Sequence, residues 1–128
     1  MAGYTVKNLK EIEDSAVAGG LSPDLEARFA RKPLEAEQGG LSYQRFAPGY
    51  RSTFGHTHED QEEIYVILSG SGRLKLDDDV VEVGQWDAVR IAGDVTRAFE
   101  AGPEGAELLA FGAGRAADAE VLPGWWTD

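Results

Sequence analysis

From residue 41 onward, apolar and polar positions alternate in short runs, and each run closes on a turn signal. Residues 41–47 alternate and stop at Pro48-Gly49; residues 52–58 follow, and residues 63–68 are rich in Ile, Tyr and Val. Gly70-Ser71-Gly72 turns the chain into 73–76, and Asp77-Asp78-Asp79 makes an acidic hairpin turn before 80–83. Residues 86–91, 97–100 and 107–111 complete the series. About eight short strands at roughly 8–12-residue spacing predict an all-β antiparallel barrel or sandwich. Residues 64–68 are apolar on both faces, as in a strand covered by a second sheet on one side and walling a cavity on the other.

The first forty residues are patterned differently. Ser22-Pro23-Asp24 offers an N-cap, a proline at the first helical position and an acid in the first turn. These signals predict a short helix through Leu25, Ala27, Phe29 and Arg31, stopped by Pro33. Gly19-Gly20 and Gly39-Gly40 bound it as loops. The expected organisation is an N-terminal extension over 1–40, a barrel over 41–112 and a tail over 113–128. Trp125 and Trp126 in that tail are expected to dock on the barrel or on a second subunit.

Composition narrows the function classes. At 128 residues the chain suits one domain. It has no cysteine, which removes disulfides, thiolate metal sites and cysteine nucleophiles and agrees with a cytoplasmic, reducing setting. The N-terminus reads as no signal sequence and no apolar run reaches membrane-spanning length, so cytoplasmic is the expectation. The formal charge of −11, from 12 basic and 23 acidic residues, would repel phosphate backbones and anionic lipid. The expected partner is therefore a small molecule, with neither nucleic acid nor membrane.

The only two histidines are His56 and His58. Residues two apart on a strand face the same side, so both imidazoles can enter one cavity. Glu63 opens the next strand after the short turn Glu59-Asp60-Gln61 and can bring a carboxylate to the same point. Two imidazoles and a carboxylate suit Fe, Mn, Ni or Zn with coordination positions left open. Tyr65 shares a strand face with Glu63, and Phe99 is among the aromatics placed to line the same pocket. Of Gln44 and Arg45, one must face inward.

This arrangement resembles the cupin family. Gly49, His56, His58, Glu63 and Gly70 follow the family's first motif, with only the first gap one residue off the common form. Residues 62–72 match the motif's strand and turn nearly position by position. The resemblance implies a double-stranded β-helix, the jelly-roll barrel of cupins, and His56, His58 and Glu63 as metal ligands. The second motif departs from the family pattern, because its third histidine is missing. Aligning Asp87 and Arg97-Ala98-Phe99 puts Arg97 in that slot, whereas aligning Gly84 puts Val95 there; the flanking apolar residues favour Arg97. Arginine stays protonated and cannot ligate a metal, which leaves either a weak three-ligand metal site or a metal-free pocket in which Arg97 pairs with Glu63 or with a bound carboxylate. Two functions follow from the resemblance: a metal-dependent enzyme of dioxygenase or isomerase type, or a non-catalytic protein binding a small carboxylate through Arg97. A homodimer is expected in either case.

Overall fold

The computed structural model describes residues 3–59, 61–113 and 119–127. Asp60 of the expected turn, the first two residues, residues 114–118 and Asp128 lie outside the described residues.

Among the described residues, eight strands form one curled antiparallel sheet: β1 Leu25–Phe29, β2 Gly39–Phe46, β3 Phe54–His58, β4 Glu62–Leu76, β5 Asp79–Gly84, β6 Ala88–Ile91, β7 Arg97–Ala113 and β8 Ala119–Pro123. The long strands β4 and β7 run antiparallel along their whole length, from Glu62↔Ala113 to Leu76↔Arg97. The second half of β7 also pairs with β2, and its first residue meets β3 at His56↔Arg97. β4 carries β6 on its first half and β5 on its second. Inward positions alternate along each strand and gather Phe46, Ile67, Leu74, Phe99 and Leu108 into the core. This is the double-stranded β-helix that the sequence led us to expect.

Two details differ from that expectation. The Gly70-Ser71-Gly72 segment does not end a strand. The ladder continues through it to Leu76, with register shifts between Ile67 and Ser69 and between Gly70 and Gly72. Gly70 sits at φ 75°, and a Cβ there would lie 2.0 Å from the Gly105 carbonyl oxygen, so only glycine fits this bulge. The bulges bend β4, which lets one long strand serve both halves of the barrel; β7 likewise joins the two expected strands 97–100 and 107–111.

The second difference is at the N-terminus. The helix expected from Ser22 to Arg31 is instead strand β1, paired with β2 in register Leu25↔Phe46 to Phe29↔Ser42. Its alternation decides this outcome: Leu25, Ala27 and Phe29 face the barrel interior, while Glu26 and Arg28 face out. Glu26 is buried under Lys10, Arg28 and Arg45 at 2.6, 2.6 and 3.0 Å. Burial would raise its carboxyl, but the bonds from these three cations outweigh that and hold it down at about 2. The short helix lies earlier, α1 at Ser15–Ala18, capped by Asp14, whose Oδ1 accepts from the Ala16 and Ala27 amides.

Among the described residues, β8 pairs with β3 and closes the wall beside the histidines, with Val121↔His56 and Ala119↔His58 in register. After it, Trp125 packs on Gly55, where a Cβ would come within 2.7 Å of the indole, and Lys75 lies 4.5 Å above its ring. Trp126 lies under Arg51 and Arg73 at 4.5 and 5.4 Å. The tryptophans thus dock on their own barrel. Among the described residues, no helix is long and apolar enough to cross a membrane.

Candidate metal centre

β3, β4 and the start of β7 meet at one end of the barrel. His56 and His58 project from the inner face of β3, with ring centroids 5.2 Å apart and planes at 86°. Glu63, the second residue of β4, reaches between them. Its Oε1 is 3.4 Å from Nε2 of His56 and 3.2 Å from Nε2 of His58. One donor atom from each residue lies within 4.8 Å of the others. A backbone bond of 2.7 Å from the His58 amide to the Gly93 carbonyl fixes the end of β3. The same-face argument from the two-residue spacing therefore holds in three dimensions.

Arg97 lies against this group. Its Nη1 donates to Glu63 Oε1 at 2.6 Å, and its Nε and Nη2 donate to the carbonyls of Ala92, Gly93 and Val95 at 2.7–3.2 Å. The side chain has no exposed surface. Of the two partners the sequence offers Arg97, Glu63 and a bound carboxylate, its guanidinium here lies on Glu63 and on backbone carbonyls, where it holds the carboxylate. Burial alone would raise the Glu63 carboxyl. The hydrogen bond from His56, the field of His58 and the bond from Arg97 outweigh it, and the carboxyl stays below its usual range.

Tyr65 and Phe99 sit two residues along from Glu63 and Arg97, on the same inner faces. Both are buried cavity-lining residues. Burial, reinforced by the Glu63 charge, pushes the Tyr65 phenol well above its ordinary value and keeps it a neutral donor. Phe99 packs on Phe46 with centroids 4.7 Å apart. Gln44 is the inward member of its pair, and Arg45 faces out onto Glu26.

These side chains bound a cavity of about 410 Å³, polar around the histidines and mostly apolar elsewhere. Sequence reasoning missed the wall supplied by β1 and β8: Leu25, Ala27, Phe29, Ala119 and Val121. The period-two alternation of residues 25–29 was the signal for β1, overshadowed by the capping residues before it.

The donor set suits a divalent metal. Oxygen–nitrogen separations of 3.2–3.4 Å are what ligands about 2.0–2.2 Å from one shared ion require. A carboxylate offers roughly four lone-pair sites, so a bond to Arg97 leaves Glu63 able to ligate.

Comparison with known proteins agrees with the motif and the fold. Residues 42–112 match the cupin domain family, and the chain belongs to that family. Similar solved structures include a cupin protein from Bacteroides fragilis, 23% identical with a TM-score of 0.73 over 91% of this chain and 89% of that one. A polyketide cyclase from Streptomyces resistomycificus is 20% identical, with a TM-score of 0.74 over 97% and 87% of the two chains. Oxalate decarboxylase from Bacillus subtilis is 21% identical, with a TM-score of 0.73; the match covers 91% of this chain and 32% of that enzyme. No curated protein sequence matches the chain closely.

Proposed function

We propose that this cupin is a divalent-metal-dependent enzyme acting on a small oxygenated molecule in the barrel cavity. The observation that carries this reading is the convergence of His56, His58 and Glu63, with one donor atom each within 4.8 Å, at the polar end of an otherwise apolar cavity. The three residues would hold Fe(II), Mn(II), Ni(II) or Zn(II), which when bound supplies a Lewis acid that polarises a substrate oxygen. The protein does the rest. Arg97 fixes the Glu63 carboxylate, the buried Tyr65 phenol presents a proton that burial keeps on the oxygen, and the apolar wall excludes water.

Binding of a carboxylate directly to Arg97 is the weaker reading, because that side chain is wholly buried and bonded to Glu63. Solved relatives of this fold include both a cyclase and a decarboxylase, so the fold does not select the reaction. The protein is proposed to work in the cytoplasm, in keeping with its lack of cysteine, and as a homodimer. Ile64 and Phe111, paired across β4 and β7 and 40% and 41% exposed, support an apolar contact between copies.

Calorimetric titration with Ni(II) and Zn(II) tests the metal assignment. Wild type is expected to bind one ion per chain, and His56→Ala, His58→Ala and Glu63→Ala to lose that binding. Equal binding by wild type and all three variants would refute it.

A further inference from the structure

The charge inside the barrel has the opposite sign to the charge of the whole protein. The chain carries −11, with 23 acidic residues and histidine counted as neutral. Among the described residues that line the cavity, Glu63 is the one acid, against the guanidinium groups of Arg31 and Arg97. These fixed charges leave the cavity positive, and a divalent ion on the triad makes it more so. A positive cavity in an acidic protein favours an anionic ligand at that one place.

Arg97 does not supply the contact, because it is fully buried and bonded to Glu63. Arg31 is placed to do so. It follows Leu25, Ala27 and Phe29 on the inward alternation of β1, and all four line the cavity. The Ala30 amide donates to the Leu41 carbonyl at 2.8 Å, which carries the ladder with β2 past the end of the strand. The Arg31 side chain then folds across Gly40, its Nη1 and Cδ 3.8 and 3.9 Å from where a Gly40 Cβ would stand. Its Nη2 donates to the Glu37 carbonyl at 2.8 Å, which orients the guanidinium.

Gln61 takes the neighbouring place. Its Nε2 lies 2.5 Å from where a Gly112 Cβ would stand, so glycine at 112 is what lets the amide lie there. In the strand ladder Gly40 pairs with Gly112, and Gly112 with Glu63. Arg31, Gln61 and Glu63 thus succeed one another along one inner row. The Gly40 backbone under the guanidinium is two strand spacings, about 10 Å, from that of Glu63. Elsewhere the wall is mostly apolar, with Phe29, Phe46, Phe54 and Phe99. A small inorganic anion gains nothing from that surface, whereas an anion with an apolar body does.

We propose that the ligand is a carboxylic acid with an apolar body, its carboxylate held by Arg31 and Gln61 at one edge of the cavity. An oxygen further along the molecule is directed to the triad, and this part rests on the reading of His56, His58 and Glu63 as the metal end. A carboxylate accepts two parallel bonds from a guanidinium, and the Gln61 amide adds a further donor.

Calorimetric titration of metal-free and of Zn(II)-loaded protein with 3-phenylpropionate, and with its uncharged counterpart 3-phenylpropan-1-ol, tests this. The metal-free protein is expected to bind the acid at least about tenfold more tightly than the alcohol. Arg31→Gln is expected to remove that preference and to leave the affinity for the alcohol unchanged. Arg31→Lys keeps the charge without the fork and is expected to retain part of the preference; it carries the test if Arg31→Gln fails to fold.

Equal affinities for acid and alcohol, or no binding of the acid, would overturn the proposal. So would a preference that neither substitution alters, or one that appears only with Zn(II) and survives Arg31→Gln, which would put the carboxylate on the ion. Zn(II) titration of the same samples separates the two readings. An acid preference that depends on Arg31, without Zn(II) binding, counts against the metal assignment alone. Zn(II) binding without that preference counts against the ligand class alone.

Discussion

Replacing Arg97 with methionine should move two measurable quantities in opposite directions. The substitution keeps an unbranched apolar stem and removes the guanidinium, which donates to Glu63 at 2.6 Å and to three backbone carbonyls. Removing one partner of a buried ion pair costs about 3–5 kcal/mol, because the other charge is left buried. His56 and His58 remain beside Glu63 and offset part of this, so the lower end of that range is expected. For a chain of this length, a loss near 3 kcal/mol lowers the melting temperature by roughly 10 °C. Metal affinity should instead rise. A unit charge about 5 Å from a dication costs roughly 7 kcal/mol at an effective dielectric of 20, and compensation of most of that by Glu63 leaves a gain of about ten- to a hundredfold. Urea unfolding and Ni(II) calorimetry on the same preparation read both effects. A stability loss under about 1 kcal/mol, or unchanged Ni(II) affinity, would refute the account of Arg97 as the residue that holds Glu63.

Arg97→His should bind Ni(II) more tightly than Arg97→Met, because it supplies a third imidazole as well as removing the charge; equal affinities would mean that position 97 does not reach the metal. The depressed Glu26 carboxyl contributes stability that is fully present above its unfolded value and lost as pH falls from 4.5 towards about 2. Urea titrations of wild type and Glu26→Gln should therefore differ most near neutral pH and converge towards pH 2, and a constant difference would contradict the ion cluster. Gly55→Ala should displace Trp125, whose indole would lie 2.7 Å from the new methyl, and shift tryptophan emission to the red; an unchanged spectrum would place the tail elsewhere.

The barrel and the triad were legible in the sequence because both rest on period-two spacing. His56 and His58 had to share a face, and Glu63 had to follow them onto the next strand. The long strands were not legible as single elements. Gly70 and Gly105 look like turn residues, and only the pairing of Gly70 with Ala106 shows that they form bulges within a ladder. Residues 25–29 were misread because a local capping signal at Ser22-Pro23-Asp24 competes with a tertiary one. The Leu25, Ala27, Phe29 alternation stabilises a strand only once β2 lies beside it. The sequence left Arg97 two partners in the pocket, Glu63 or a bound carboxylate; the pair with Glu63 forms, and the carbonyls of Ala92, Gly93 and Val95 that turn the guanidinium come from a loop whose path the sequence does not specify.

A crystal grown with Zn(II) or Mn(II), with anomalous scattering recorded at the metal edge, tests the central claim most directly. One anomalous peak is expected within about 2.0–2.3 Å of nitrogen atoms of His56 and His58 and of a Glu63 oxygen, with the Arg97 guanidinium still on that carboxylate. No peak there at saturating metal, with the Arg97–Glu63 pair filling the space between the imidazoles, would contradict it.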